Sequence, residues 1–180
     1  MNGSGANAFT YLVGTLIDLY VGAVLLRLLL QWVRADFYNP LSQFLVKLTN
    51  PALVPLRRVI PALGRLDTAS VVLMLLLELM GTWIVIMIGG SPMSWPQVLA
   101  FCVIKLLMTL LMTYFFLIII AVILSWLAQG LRHPFIPLVF QLTEPVLKPI
   151  RKFIPPIAGI DLSPLFALIA IRFLVLLLGW

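Results

Sequence analysis

Four long apolar stretches, Phe9–Val33, Thr68–Ile88, Val98–Leu127 and Leu162–Trp180, dominate the chain. Each approaches or exceeds the roughly 20 residues that a helix needs to cross a hydrocarbon core about 30 Å thick. The run LLMTLLMTYFFLIIIAVIL from Leu106 to Leu124 has no polar face at the 3.6-residue period, so it reads as a helix surrounded by lipid or by other apolar helices. The pattern predicts an all-α membrane protein of four transmembrane helices. The third stretch is longer than a straight crossing requires, which predicts tilt or an interfacial start around Gln97–Lys105.

Between the apolar runs the period changes. Leu41, Phe44, Leu45 and Leu48 recur at helical spacing, as do Phe135, Leu138, Val139 and Leu142, while Ser42, Gln43 and Lys47 occupy the opposite face of the first segment. Segments this short and this one-sided are predicted to lie in the headgroup plane. The following stretches, TNPALVPLRRVIP and TEPVLKPIRKFIP, predict a second short helix in each loop. Asn50 or Glu144 starts it, Pro51 or Pro145 takes its first position, Pro55 or Pro149 bends it and Pro61 or Pro155 ends it. Each loop thus becomes a stiff cationic elbow from which Arg57, Arg58, Arg151 and Lys152 project. Near an anionic surface each such side chain contributes about 1 kcal/mol of attraction. Lipid anchoring together with topology is the simpler reading of these charges, and docking of a protein partner is the other. The fourth apolar run opens with Asp161-Leu162-Ser163-Pro164, where Ser163 is placed to cap and Pro164 to take the first helical position; Asp67-Thr68 occupies the corresponding place in the first half. Both aspartates are expected to cap a helix or to pair with loop arginines.

Displacing the chain on itself by 94 residues aligns Leu30–Asp67 with Leu124–Asp161 without gaps, with 12 of 38 positions identical. Eight of those twelve are not aliphatic: Trp32/Trp126, Pro40/Pro134, Thr49/Thr143, Pro51/Pro145, Pro55/Pro149, Arg57/Arg151, Pro61/Pro155 and Asp67/Asp161. The pattern is that of a duplication, with residues 1–90 as the first copy (spans 9–33 and 68–88) and 91–180 as the second (spans 98–127 and 162–180). Each copy has an even number of spans, so the two are expected to enter the membrane in the same sense.

Composition strengthens the membrane reading: 63% of the residues are hydrophobic, 10% are charged, and the mean hydropathy is +1.16. The net charge of +6 comes from basic residues beside apolar runs, which points to anionic lipid headgroups; nothing in it argues for nucleic acid. Arg34, Lys47, Arg57, Arg58 and Arg65 fall in the first long loop and Arg132, Lys148, Arg151 and Lys152 in the second. The N-terminus, the Ser91–Gln97 turn and the C-terminus have none. Both loops are therefore expected in the cytoplasm and both termini outside, with Trp95 and Trp180 at the outer interface and Trp32 and Trp126 at the inner one. Met1–Ala8 has no basic residue of the kind that opens a cleavable signal peptide, so the first apolar run is expected to be retained.

Charges also fall inside the apolar runs. Asp18, Glu78, Lys105 and Arg172 are predicted at membrane depth, where a charge costs about 2.5–3.5 kcal/mol unless paired. Glu78 and Arg172 stand 94 residues apart, hence at equal depth, and are expected to pair across the repeats; Asp18 and Lys105 form a second expected pair. Gly14, Asp18 and Gly22 share a helical face that would admit a close neighbour. Arg27, on the opposite side from Asp18, is expected to snorkel to the interface. Structural pairing within a bundle outweighs an ion path through these groups, since no span contains the Gly/Pro break that transporters use. With one cysteine (Cys102), one histidine (His133) and no nucleophile elbow, P-loop, dinucleotide or zinc motif, the sequence predicts no disulfide, metal, cofactor or enzymatic activity.

The motif T-x-P-x-L-x-P-x-R-x-x-I-P, with Trp at the preceding helix end and Asp at the next helix start, resembles the YggT family of bacterial inner-membrane proteins. Thr143–Pro164, TEPVLKPIRKFIPPIAGIDLSP, carries the resemblance most clearly, and the first copy is a divergent version ending in Asp67-Thr68-Ala69-Ser70. The resemblance implies a multi-pass inner-membrane location and offers no family catalytic residue to carry over. It also implies a role in osmotic- or salt-stress tolerance and in envelope or division processes, or, by analogy with plastid relatives, in cytochrome maturation and nucleoid organisation. The combined expectation is a non-enzymatic protein whose basic elbows bind lipid or a partner, the protein partner being another membrane protein or a second copy of the chain. The alternative is a small ion or osmolyte pathway.

Overall fold

The computed structural model describes residues 3–64, 66–89, 93–127, 133–155 and 161–179. Six helices account for most of them: α1 (Gly3–Trp32), α2 (Pro40–Val59), α3 (Thr68–Gly89), α4 (Trp95–Leu127), α5 (Phe135–Phe153) and α6 (Ser163–Leu177). No strand is formed among the described residues. Three helices are long and apolar enough to cross a membrane, over Gly5–Trp32, Thr68–Ile88 and Trp95–Leu127. At 15 residues α6 is apolar but shorter, about 22 Å at 1.5 Å per residue. Arg65, Arg132 and Trp180, which enter the charge and interface arguments above, lie outside the described residues.

Local chemistry explains where the helices begin and end. Asn39 Oδ1 accepts the Leu41 N–H at 3.0 Å ahead of Pro40, which needs no N–H partner, and so opens α2. Gln97 Oε1 accepts the backbone N–H of Ser94 at 2.9 Å, as a capping box does, and this starts α4 three residues earlier than the hydrophobic run suggests. At the end of α1 the Ala35 N–H reaches Leu30 O at 2.9 Å and the Arg34 N–H reaches Gln31 O at 3.2 Å. Arg34 is left-handed there, with φ 55°, in a place that usually holds glycine.

Each loop contains one amphipathic helix, where the sequence predicts two short ones. Pro51 and Pro55 lie inside α2, and Pro145 and Pro149 inside α5. The reason is the phase of the buried stripe: Leu45, Thr49 and Leu53 in α2, and Val139, Thr143 and Leu147 in α5, continue at four-residue spacing through the prolines. Packing of that stripe carries the helix across positions where propensity alone would end it.

The chain forms two compact units, residues 1–28 with 45–107, and residues 29–44 with 108–180. Each unit takes residues from both copies of the sequence repeat. The core of the first consists of Val21, Val24 and Leu25 from α1, Leu53 from α2, Leu73 and Met74 from α3, and Val98 and Cys102 from α4. Within it α3 meets α1 closely at Gly81, where an added Cβ would stand 3.2 Å from Ile17 Cδ1. Gly14 and Gly22, the small residues that the sequence singles out, have open space beside them. The second unit buries Ile118 and Ala121 of α4, Leu138, Val139, Leu142 and Leu147 of α5, and Ala167, Ile171 and Val175 of α6.

Candidate functional site

The repeated loop chemistry converges on two equivalent hinges. In the first, Arg57 Nη2 donates to Asp67 Oδ2 at 2.5 Å and Ser70 Oγ donates to the same carboxylate, which is nearly buried, with 4% of its side chain exposed. The Asp67 carbonyl accepts the Ser70 and Val71 N–H groups, so Asp67 also opens α3. In the second hinge, Arg151 Nε donates to Asp161 Oδ2 and Arg151 Nη1 to Glu144 Oε2, both at 2.8 Å. The Ser163 N–H donates to Asp161 Oδ1 at 2.9 Å. The first N–H of α6 is therefore met by the Asp161 carboxylate, while Leu162 stands at the cap position and the buried Ser163 lies inside the helix, so its hydroxyl does not cap it. Pro164 stands in the first turn of α6 as the sequence requires.

The charge arrangement follows from those contacts. Burial opposes ionisation of Asp67, but the hydrogen bonds from Arg57 and Ser70 and the positive charges of Arg57 and Arg27 outweigh it and hold the carboxyl below the usual range. Asp161 is lowered in the same way, with burial opposed by donors from Ser163 and Arg151. The Arg151 guanidinium, which burial alone would make less basic, is raised by Asp161 and Glu144. Arg58 and Lys152 point elsewhere. Each follows its hinge arginine by one residue, is exposed, and makes no ion pair with a described residue. The four basic residues that sequence reasoning treats alike thus fall into two kinds.

Arg27 is buried, with 8% exposure, where snorkelling was the expectation. It donates to Thr49 Oγ1 at 2.5 Å, and Thr49 in turn donates to Leu45 O. α2 packs over the end of α1 in this unit and supplies the acceptor that the interface would otherwise provide.

A second cluster lies within the apolar helices of the first unit. Lys105 Nζ stands 2.6 Å from Asp18 Oδ1 and 2.8 Å from Glu78 Oε2. Glu78 is fully buried, and its Oε1 has no hydrogen-bond partner among the described residues. The expected Asp18–Lys105 pair is present. Glu78, however, meets Lys105 within its own unit, where the equal-depth argument assigns it to Arg172; Arg172 belongs to the other unit and is exposed there. Equal depth constrains height along the bundle but not the direction in which a side chain leaves its helix, and that direction decides the partner. Beside the cluster is a cavity of about 250 Å³ lined by Gly14, Gly81, Thr82, Phe101 and Lys105, among others. Thr82 and the buried Cys102 are 3.5 Å apart nearby. His133 accepts the Phe135 N–H at the start of α5, a structural role. Among the described residues no group of His, Cys, Asp and Glu is arranged to hold a metal ion.

Sequence reasoning missed Asn39, whose Nδ2 donates to Pro134 O at 2.6 Å. The signal was present in Asn-Pro ahead of an amphipathic run, and the duplication places His133-Pro134 opposite it.

Comparison with known proteins gives a consistent answer. The model of the CCB3/YggT family matches residues 6–88 and 100–180, one match for each half. An uncharacterized protein of Pseudomonas aeruginosa is 46% identical over 174 residues, covering 92% of this chain and 85% of the relative. One of Vibrio alginolyticus is 42% identical, covering 96% and 94%, and the uncharacterized protein YggT of Escherichia coli K12 is 40% identical, covering 88% and 82%. No solved structure matches. With the motif, the helical architecture and two family matches that together span both halves, the chain belongs to the CCB3/YggT family.

Proposed function

We propose that this is a non-enzymatic, four-span inner-membrane protein built from two parallel repeats, 1–90 and 91–180, whose α2 and α5 lie along the cytoplasmic surface. There they bind anionic headgroups or dock a membrane partner, in envelope homeostasis, osmotic-stress tolerance or membrane-complex assembly. The observation that carries this reading is the construction of the two hinges. In each, an amphipathic helix ends on two basic residues, of which the first is tied to the aspartate that starts the next helix and the second is exposed. Such a hinge holds an exposed charge at a fixed height beside an apolar helix, as a surface-binding element requires. The short α6 serves as the fourth span if the bilayer thins locally or flanking residues extend it.

The test compares retention of phosphatidylglycerol, and recovery of co-purifying membrane proteins, between wild type and an Arg58→Gln, Lys152→Gln variant. Loss of either signal with all helices still inserted is the expected outcome. Changing Arg57 and Arg151 as well should add a loss of stability. Unchanged retention and unchanged recovery in the exposed-pair variant would leave these charges a topological role only.

The second reading, an ion or osmolyte pathway, is favoured by one observation: the Asp18–Lys105–Glu78 cluster lies beside a cavity. Lys105 is ten residues into α4 and Glu78 eleven from the end of α3, about 15 Å along each helix and therefore near mid-membrane. Flux in proteoliposomes that disappears in Glu78→Gln would establish that reading in place of the first.

A further inference from the structure

In the second unit the end of α1 and one face of α5 form an open groove of about 370 Å³ lined by Trp32, Val33, Gln141, Glu144, Pro145 and Lys148. Gln141, Glu144, Pro145 and Lys148 recur at helical spacing and lie on one side of α5, opposite the buried stripe. Trp32 is half-exposed, and the Glu144 side chain is 49% exposed. The groove thus offers an aromatic face, a carboxylate and an ammonium over an apolar floor. Its height follows from α1, whose 30 residues extend about 45 Å, the thickness of a bilayer with its headgroup layers; the Trp32 end therefore falls among the headgroups.

The duplication provides an internal control. Residues that build the scaffold recur in both copies, as Arg57/Asp67 and Arg151/Asp161 do. The groove charges do not. Ninety-four residues before Gln141, Glu144 and Lys148 stand Lys47, Asn50 and Val54, so the first copy has no acid and base one turn apart at these positions. Glu144 also serves the second hinge through Arg151, but Lys148 makes no ion pair with a described residue and has no basic counterpart in the first copy, where Val54 stands.

We propose that this groove binds the headgroup of one zwitterionic phospholipid of the ethanolamine type. The headgroup ammonium lies against the Trp32 ring and the Glu144 carboxylate, the phosphate meets Lys148, and the acyl chains enter the membrane alongside α1 on the N-terminal side of Trp32. A cation over an indole face and a carboxylate selects for an ammonium. A purely anionic headgroup satisfies Lys148 but leaves the Trp32 ring and the Glu144 carboxylate without an ammonium. Side chains one helical turn apart have Cβ atoms roughly 5–6 Å from each other, a spacing suited to two opposite charges joined by a two-carbon bridge. The inference rests on the proposed placement of α5 at the membrane surface but not on Arg58 or Lys152.

The experiment is native mass spectrometry of the full chain, released from vesicles that contain equal amounts of phosphatidylethanolamine and phosphatidylglycerol. Wild type should retain one phosphatidylethanolamine in preference, and Trp32→Leu and Glu144→Gln should each lower that occupancy about five-fold. Because Glu144 also holds Arg151, Trp32→Leu is the variant that tests the groove without disturbing the hinge. The Arg58→Gln, Lys152→Gln variant should lose phosphatidylglycerol and keep phosphatidylethanolamine, which separates failure of this inference from failure of the proposed function. Soluble phosphoethanolamine at matched concentration should not displace the lipid. Equal retention of the two lipids by wild type, unchanged occupancy in Trp32→Leu, or displacement by phosphoethanolamine would each overturn the assignment.

Discussion

Asp67 and Asp161 occupy equivalent positions in the duplicated sequence, but their surroundings differ. The Asp67 side chain is 4% exposed and that of Asp161 is 32% exposed, while their arginine partners are equally open at 35%. Losing charged hydrogen bonds costs more where water cannot replace them, so Asp67→Ala should destabilise by about 2–3 kcal/mol and Asp161→Ala by less than about 1 kcal/mol. Thermal unfolding in a fixed detergent measures both. Each carboxyl has a folded pKa depressed below its ordinary value of 3.8, so its contribution is present above that value and is lost as pH falls through the lower folded value. An acid titration of stability should therefore fall below about pH 4, and Asp67→Asn should flatten that limb; a limb unchanged in the variant would assign acid sensitivity to other groups. At the apolar cluster, Lys105→Met strands a fully buried carboxylate and should cost about 3 kcal/mol, whereas adding Glu78→Gln in the same chain should recover much of the loss. Additive losses would show that the two do not interact. The charged residues of this cluster were legible as charges within long apolar helices because they interrupt apolar runs. Their partners were not, since pairing depends on helix rotation.

At the scale of elements, the contact between α1 and α3 in the first unit depends on Gly81 and Ile17 rather than on the Gly14/Gly22 face. An added methyl at Gly81 meets Ile17 at 3.2 Å, and a branched side chain there would force the helices apart. Gly81→Val should lower the melting temperature, by about 1–3 kcal/mol in stability. Gly14→Ala and Gly22→Ala should be neutral or slightly stabilising through helix propensity. A larger loss at Gly14 than at Gly81 would contradict this packing. The small-residue stripe was read correctly as a pattern, but a stripe states only that approach is permitted. Which stripe is used depends on the neighbour that reaches it. The same limit explains α2 and α5: prolines report lost donors, whereas the Leu45–Thr49–Leu53 stripe, which decides continuity, has value only once something packs on it.

For the whole molecule, the excess of Lys and Arg in the two long loops predicts that α2 and α5 face the cytoplasm. In a Cys102→Ala background, cysteine at Ser94 should react with an impermeant thiol reagent applied to intact cells, and cysteine at Gln141 should not; both sites are exposed, so reactivity reports sidedness rather than burial. The opposite pattern would invert the orientation. The sequence by itself determined the helical class, three helices long and apolar enough to cross a membrane and a shorter apolar fourth, because long apolar runs and lost polar periodicity are one-dimensional signals. It also shows Arg and Asp recurring at a spacing of 94 residues, a recurrence that the structure converts into hinges. Only the tertiary structure decided that Glu78 meets Lys105, that Arg27 is buried on Thr49, that α1 ends against α5, and that each compact unit draws on both copies of the repeat. The physical reason is common to all four: sequence position sets how far along a helix a side chain lies, whereas its azimuth and neighbours are set by how helices distant in the chain pack together.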